Sequence, residues 1–518
     1  MRAVPEPQEF NGARMDWEVV GWFPDSTKFI LNARPPGDES HVASTAQGAS
    51  IWKASLLGGA PRKLHDEAEA FSVSPDGSWI AFGMNPAHFG DREVWLMGPE
   101  SESEHKIYET DGSTSLAAVG WSPDGKRMAY LRINQAGDTA IESRDLNGGP
   151  PTEIVQAARD VRGFIWLPDG RMVYDRLEPG DGTSNCSYWQ MHIDPHTGKP
   201  VESAKRVANW LSDCVGATSS TADGKHVAFV RWAGTTGVYI AGLEADNTRI
   251  TTPKRLTLEE TWNNLMGWTP DSNSVLLLSN RNKRWELFRQ AIDSDTADRI
   301  VAGRGASVSA DGTYVLYLVR VDEKDSNGDY RLMRIPIKGG ASVELARGRF
   351  SGGPPVCARL PVNLCVMAIR SFDRKQLVFN ALDLEKGLGR ELLRLNLNPD
   401  KGFSWALSPD GSRIAVLQVR DATIHVLSLA GELLHDISPP GRARMDAVAW
   451  TADGKGFFVS SLENNGYTLL HVALHGAVHT LWRPEGSRGI SSKASPDGRR
   501  LAIRNWQYTG NVWMADNF

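Results

Sequence analysis

His471, His475 and His479 stand four residues apart, and imidazole is the side chain that most readily binds a metal or moves a proton near neutral pH. On a helix that spacing aligns all three. The surrounding YTLLHVALHGAVHTLW, from Tyr467, instead reads as strand, turn at His475 and Gly476, strand. A two-residue turn sets His479 opposite Val472 and facing away from His471, whereas a three-residue turn puts both on one face. Zinc needs a fourth ligand that the nearby sequence does not supply, so solvent-facing hairpin histidines are expected and no metal is assigned. EKDSNGD, Glu323 to Asp329, has the alternating oxygens and sixth-position Gly of a calcium loop. It departs from that pattern with Glu at the first position and Arg334 at the twelfth, where a bidentate Glu belongs. A polar loop is expected, and no cofactor.

Carboxylates are numerous, but most of the conspicuous ones repeat. Asp76, Asp124, Asp169, Asp223, Asp311, Asp410, Asp453 and Asp497, with Asp25 and Asp271 in looser copies, each occupy the same place in a short turn. An Asp present at every turn performs the same local task each time, hydrogen-bonding its own backbone, whereas catalysis calls for one or two unique ones. Tryptophan divides similarly. Trp22, Trp121, Trp166, Trp268 and Trp450 precede the turn, and Trp52, Trp95, Trp189 and Trp513 recur in a later strand, so these are expected in the core. The non-periodic Trp210, Trp232, Trp262, Trp285 and Trp506 are the candidates for a sugar- or peptide-binding surface. No G-x-S-x-G elbow, H-E-x-x-H, P-loop or kinase H-R-D or D-F-G element is present.

The turn that positions these residues is clearest in VGWSPDGKRMAYLR, Val119 to Arg132. Pro presets φ, Asp bonds the local backbone and Gly supplies positive φ, with apolar strands on both sides, which makes a β-hairpin. Copies include FSVSPDGSWIAFG at Phe71, FIWLPDGRMVYDR at Phe164, WALSPDGSRIAVL at Trp405 and SKASPDGRRLAIR at Ser492, with a degenerate one, ARLPVNLCVMAIRS, at Ala358. About 20 residues further on comes a strand with a large central residue, as in SIWKASL (Ser50), GVYIAGL (Gly237) and NVWMADN (Asn511). A Gly-Gly or Gly-Pro turn then often leads into a fourth strand. Four short strands per unit and a period of roughly 40 to 54 residues describe the blade of a β-propeller. The fold expected is all-β, with about eleven four-stranded units. Because propellers hold about 4 to 8 blades, two in tandem are expected, over 1–260 and 261–518, with one oversized ring as the alternative. The last blade lacks a fourth strand after NVWMADN, which Ala3 to Phe10 would complete if both chain ends share one ring.

The S/T-P/A-D-G turn at this spacing, with its aromatic strand and Gly-Gly, resembles the TolB-type, WD-repeat-like propeller of bacteria over essentially the whole chain. SIWKASLLGGAPRKLHDEAEAFSVSPDGS, GDREVWLMGP, CARLPVNLCVMAIRSFDRKQLVFNALD and NVWMADNF are similar to the sensor region of acidobacterial serine/threonine protein kinases. That resemblance implies an extracytoplasmic location, a membrane tether and kinase domain elsewhere in such proteins, and an excised or truncated sensor region here. In that setting an even cysteine count favours bridges, Cys186 with Cys214 and Cys357 with Cys365, four buried free thiols being the alternative.

A formal net charge of −5 on 518 residues is too mild to imply nucleic acid or anionic membrane as a partner. No apolar run is long enough to span a bilayer, and MRAVPEPQEFNG lacks a signal peptide's apolar core. The function expected is therefore a non-catalytic sensor module that binds a small molecule, glycan or protein. The alternative is a propeller hydrolase or lyase acting at a channel mouth, which would betray itself by unlike, non-repeated polar residues converging there.

Overall fold

The computed structural model describes the chain apart from residues 1–15, 35–48, 88–89, 135–136, 158–160, 178–185, 211–215, 222–223, 260, 283, 322–328, 351–352, 372–374, 399–400, 420, 442–443, 464–465 and 517–518. It is all-β, a series of antiparallel sheets whose strands pair in sequence order, as in a β-propeller. Blade 1 consists of Asp16–Trp22, Lys28–Arg34, Ser50–Ser55 and Arg62–Asp66. Blades 2 to 4 cover 69–109, 114–157 and 161–210, and blades 6 to 10 cover 263–302, 304–348, 356–396, 403–437 and 445–482.

Each hairpin forms for the reason its sequence suggests. In blade 3 the Ser122 hydroxyl donates to Asp124 Oδ1 at 2.7 Å, the Lys126 N–H reaches the same oxygen at 3.2 Å, and Gly125 sits at φ +69°. Asp76, Asp311, Asp410, Asp453 and Asp497 repeat this pattern. Asp169, preceded by Leu167, accepts from Arg171 alone, and Asp223 lies outside the described residues. Hydrogen bonds from Ser74 and Ser78 hold the Asp76 carboxyl below its ordinary pKa, and those from Thr269 and Asn273 do the same for Asp271.

The turns also touch one another from blade to blade. A Cβ on Gly312 would lie 2.2 Å from Pro270 Cγ, one on Gly77 would lie 2.7 Å from Pro24 Cδ, and one on Gly454 would lie 3.8 Å from Pro409 Cδ. The proline of one turn therefore rests on the glycine of the next. Behind the turns, alternate residues of each strand face the two neighbouring blades, as where Leu417 and Val426 of blade 9 pack with Val448, Trp450 and Phe457 of blade 10. The first strand of most blades carries a bulge at the same level, for example between Leu265 and Gly267 and between Ser487 and Gly489.

Two compact units are present, one within 1–179, 184–232 and 510–518, the other within 233–509. Two long strands, His226–Glu244 and Arg500–Asp516, contribute to both. They pair with each other between Gly216–Ser220 and Ser487–Ala494. This departs from the expected grouping of strands. GVYIAGL, expected beside the hairpin at Ser219, buries Val238 and Ala241 in the second unit, with Leu265, Trp268 and Ala502 on one side and Phe458 and Leu501 on the other. The 510–518 segment, expected in the last blade, belongs to the first unit. Blade 11 is thus Ser487–Ala494, the 500–509 part of the long strand, the 233–244 part of the other and Lys254–Arg255. Its fourth strand comes from 254–255, whereas Ala3 to Phe10 lies outside the described residues.

The second unit closes on itself. The Trp268 indole N–H of blade 6 donates to the Lys493 carbonyl of blade 11 at 2.8 Å, and Ser272 is held by the Asp497 N–H at 3.1 Å and by Arg500 at 3.2 Å. Among the described residues it is a ring of six blades, 6 to 11.

Two outcomes are expected. Gly312→Ala and Gly339→Ala both place Ala at positive φ, but only Gly312 has a neighbour within 4 Å. Chemical denaturation should show a cost of about 1 kcal/mol for Gly339→Ala and clearly more for Gly312→Ala; equal costs would mean that the proline contact contributes nothing. Ending the chain at Thr509 should speed amide exchange in the 216–232 hairpin and leave blades 6 to 10 unchanged, as read by mass spectrometry.

Candidate functional site

The degenerate copy at Ala358 has lost its Asp-Gly turn, and its longer loop carries Arg359 across the second ring. The Arg359 N–H donates to the Pro409 carbonyl at 2.8 Å. Its guanidinium donates to the carbonyls of Pro496 at 2.9 Å, Ala452 at 3.1 Å and Ser495 at 3.3 Å. One residue from blade 8 therefore ties together the turns of blades 9, 10 and 11, blade 9 through its backbone and blades 10 and 11 through its guanidinium. The base of its loop is fastened by the Cys357–Cys365 disulfide. Burial pulls the Arg359 pKa down and Asp497 only partly counters it.

Blade 11 presents one face to blade 6, on which Gly489, Ser491 and Lys493 stand opposite Trp506, Arg504 and Ala502. This face runs from the end opposite the turns, where Trp506 and Trp262 meet with ring centroids 5.6 Å apart, inward to Arg504 and then Lys493. Two residues beyond Lys493 is Ser495, whose carbonyl Arg359 holds. Lys493 is surface-accessible, yet the protein surrounds it densely enough for burial alone to depress its pKa. Burial alone also lowers Arg504, to about 10, and its Nε is enclosed with no hydrogen-bond partner. Among the described residues no carboxylate is close enough to either cation to offset the effect.

The end opposite the turns is open to unlike groups that do not repeat. On blade 10, Asp446 accepts a hydrogen bond from the Tyr467 hydroxyl and lies 3.4 Å from Arg444 Nε, and Arg444 also reaches the Tyr467 oxygen at 3.4 Å. Lys401 pairs with Asp421, and Arg483 with Glu463. Arg281 pairs with Glu259 at 2.8 Å and donates to Asn263 at 3.1 Å.

In the first unit, Asp175 is buried and accepts the N–H groups of Gly163 at 2.6 Å and Arg162 at 3.2 Å at the bulge of blade 4, while its Oδ2 has no partner. Burial raises it to about 6. Elsewhere in that unit a cleft of about 680 Å³ runs beside Pro168, Asp169, His192, Asp194 and Glu202. Its carboxylates are already engaged in turns and ion pairs.

The histidine hairpin has the longer of the two turns considered, so that His471 pairs with His479 and their rings stand 6.2 Å apart on one face. His471 is not solvent-facing: it is buried, and burial, followed by the nearby His479, lowers its pKa. Among the described residues no group of three or more His, Cys, Asp or Glu is placed to hold a metal. Most of the calcium-like loop, Cys214 and the side chains of Cys186, Trp210 and Trp232 lie outside the described residues. Trp285 packs in the core between blades 6 and 7. Of the periodic tryptophans Trp52, Trp121, Trp166, Trp268 and Trp450 are buried, whereas Trp22 is exposed. Arg359, Lys493, Arg504, Asp446 and Asp175 were not singled out from sequence. The available signal was the break in the repeat at Ala358 and an ionisable residue, Asp175 in blade 4 and Arg504 in blade 11, at a hairpin position that most other copies fill with an uncharged residue such as Leu131, Leu278 or Leu417.

No family model matches the chain. An uncharacterized protein of Agrobacterium fabrum is 25% identical over 195 residues, 36% of this chain and 57% of that protein. Dipeptidyl-peptidase 5 of Porphyromonas endodontalis is 24% identical over 105 residues, 20% of this chain and 15% of that protein. The chain thus spans less than two thirds of each. Among solved structures it is similar to an oligogalacturonate lyase in complex with manganese (13% identity, 73% of this chain and 88% of that one, TM-score 0.26). It is also similar to a puromycin-hydrolyzing peptidase of Mycobacterium tuberculosis (11%, 84% and 63%, 0.30) and to TolB of Acinetobacter baumannii (15%, 62% and 78%, 0.23). These likenesses concern the fold alone. The expectation that the chain is no enzyme is corrected by the sequence match, since a dipeptidyl-peptidase shares part of its sequence. The expectation rested on missing linear motifs, and a propeller draws its reactive groups from loops of separate blades, which leave none.

The raised Asp175 carries a pH dependence. A carboxyl at about 6 when folded, against an ordinary 3.8, holds its proton more tightly in the folded state, so the first unit loses stability as pH rises from about 4 through 6. Asp175→Asn keeps an acceptor for Gly163 and should remove that slope. Its free energy of unfolding is expected to match the parent near pH 4 and to exceed it at pH 7.5 by about 2 to 3 kcal/mol, as read by chemical denaturation; a parent slope that survives the substitution refutes the assignment.

Proposed function

We propose that this chain is an enzyme of the hydrolase or lyase type, or the propeller part of one, with its substrate held at the open end of the second ring. The observation that carries this reading is Asp446, flanked by Arg444 and Tyr467 at the start of blade 10's inner strand. Its side chain keeps 18% of its surface accessible, and no other blade repeats the set. The carboxylate accepts a hydrogen bond from the phenol on one oxygen and faces the guanidinium with the other, which fixes its orientation. It is suited to take a proton from water in a hydrolysis or from a substrate in an elimination. The enclosed space behind it holds the rest of the substrate, a small molecule, glycan or peptide. The resemblance to kinase sensor regions bears on where such propellers stand, and we infer an extracytoplasmic location, which the Cys357–Cys365 disulfide supports.

The test is turnover. Chromogenic peptides, esters and glycans, and polysaccharides read by release of reducing or unsaturated ends, should reveal a substrate. With it, Asp446→Asn should lower kcat by about 10²-fold or more with little change in KM, and Tyr467→Phe should lower it less. Full activity in Asp446→Asn, or no turnover across all these substrate classes, refutes the proposal.

A further inference from the structure

Inside the second ring, positive charge is left without its complement. Lys493 and Arg504 are diagonal neighbours on one face of blade 11, since Lys493 pairs with Ala502 and Ser491 with Arg504. Neither has an ion-pair partner among the described residues, and Arg504 keeps an enclosed, unbonded Nε. Arg359 closes the turn end, with its guanidinium spent on backbone carbonyls, which orient it without neutralising it. The carboxylates of the same ring are committed elsewhere: Asp446 to Arg444 and Tyr467, Glu259 to Arg281, Asp421 to Lys401, and Asp497 to its own turn. Arg504, half-buried with its Nε enclosed and without a counter-charge, costs stability, and a fold keeps such a group where a bound anion returns it. Serine hydroxyls on the same strands, Ser487 and Ser492, are also enclosed without partners.

We propose that the second ring binds a ligand bearing a carboxylate or phosphate group, which seats between Lys493 and Arg504. Trp262 and Trp506 at the open end cover its flat or apolar part. This rests on the reading of the ring as a substrate chamber and names the class of substrate it takes.

Acylation of the full chain tests it directly. A Lys493 amine with a depressed pKa is more nucleophilic at neutral pH than a surface lysine, so limited treatment with an acetylating reagent, followed by peptide mass spectrometry, should label Lys493 early. Inorganic phosphate or citrate, at ionic strength matched with potassium chloride, should slow labelling of Lys493 several-fold and leave surface lysines such as Lys126 unchanged. Stronger protection by phosphate assigns a phosphoryl ligand, and stronger protection by citrate a carboxylate one. Arg504→Gln should abolish the protection and Arg504→Lys should restore part of it, which separates loss of the site from loss of the fold. Labelling of Lys493 that neither anion slows beyond the chloride control overturns the proposal. Protection by anions without turnover of any substrate leaves this inference standing and removes the enzyme reading. Turnover of neutral substrates without anion protection does the reverse.

Discussion

The contact on which much of the architecture depends is a proline laid against a glycine. Within a blade the Ser-Pro-Asp-Gly turn is a local device: hydroxyl to carboxylate, carboxylate to N–H, glycine at positive φ. Between blades the same four residues become a joint, because the proline ring of one turn occupies the space that a side chain on the next turn's glycine would need. A motif chosen for hairpin geometry thus also sets the spacing of blades at one end of the ring, and a single substitution there disturbs two levels of structure at once.

Blade 8 gives this joint up. Without its Asp-Gly turn, Ala358 takes the proline's place against Gly411, at a distance where a Cβ would meet its methyl at 2.9 Å, and the lengthened loop sends Arg359 over the ring. The exception to the repeat thereby becomes the feature that closes the turn end, while the opposite end keeps its access. Arg359 thus braces the turn end of the ring, and Lys493 and Arg504 stand on blade 11 beside the turn it holds. Holding Lys493 and Arg504 unpaired lowers the stability of the empty ring, and this is the kind of local conflict between folding and packing that marks functional positions.

The two units divide these roles differently. In the first, charge inside the blades is compensated, as where Glu69 takes both Arg34 nitrogens at 2.5 and 3.0 Å and Glu142 takes Arg132 at 2.6 Å. Asp175, by contrast, is a buried acid bound to backbone N–H groups. In the second, Lys493 and Arg504 are cations without an ion-pair partner among the described residues. Asp446, oriented by the two unlike partners Arg444 and Tyr467, belongs to this second unit.

Much of the fold was legible in the residues themselves. Hairpin turns, the four-strand blade, the all-β class and the two alternatives for the histidine hairpin arise from interactions among residues close in sequence, where φ preferences and strand alternation act directly. What the tertiary structure decided was which blade a strand joins and which side chains meet. GVYIAGL and NVWMADN carry the same pattern, so nothing within either segment distinguishes the unit that buries it; the choice belongs to the packing of Val238 and Ala241 between blades 6 and 10. Likewise Arg359, Lys493 and Arg504 are unremarkable cations in the chain. Only ring closure, which brings residue 268 against residue 493, gathers them in one ring, where Lys493 and Arg504 have no ion-pair partner among the described residues, because charge compensation is a property of three-dimensional neighbours and a linear sequence does not record it.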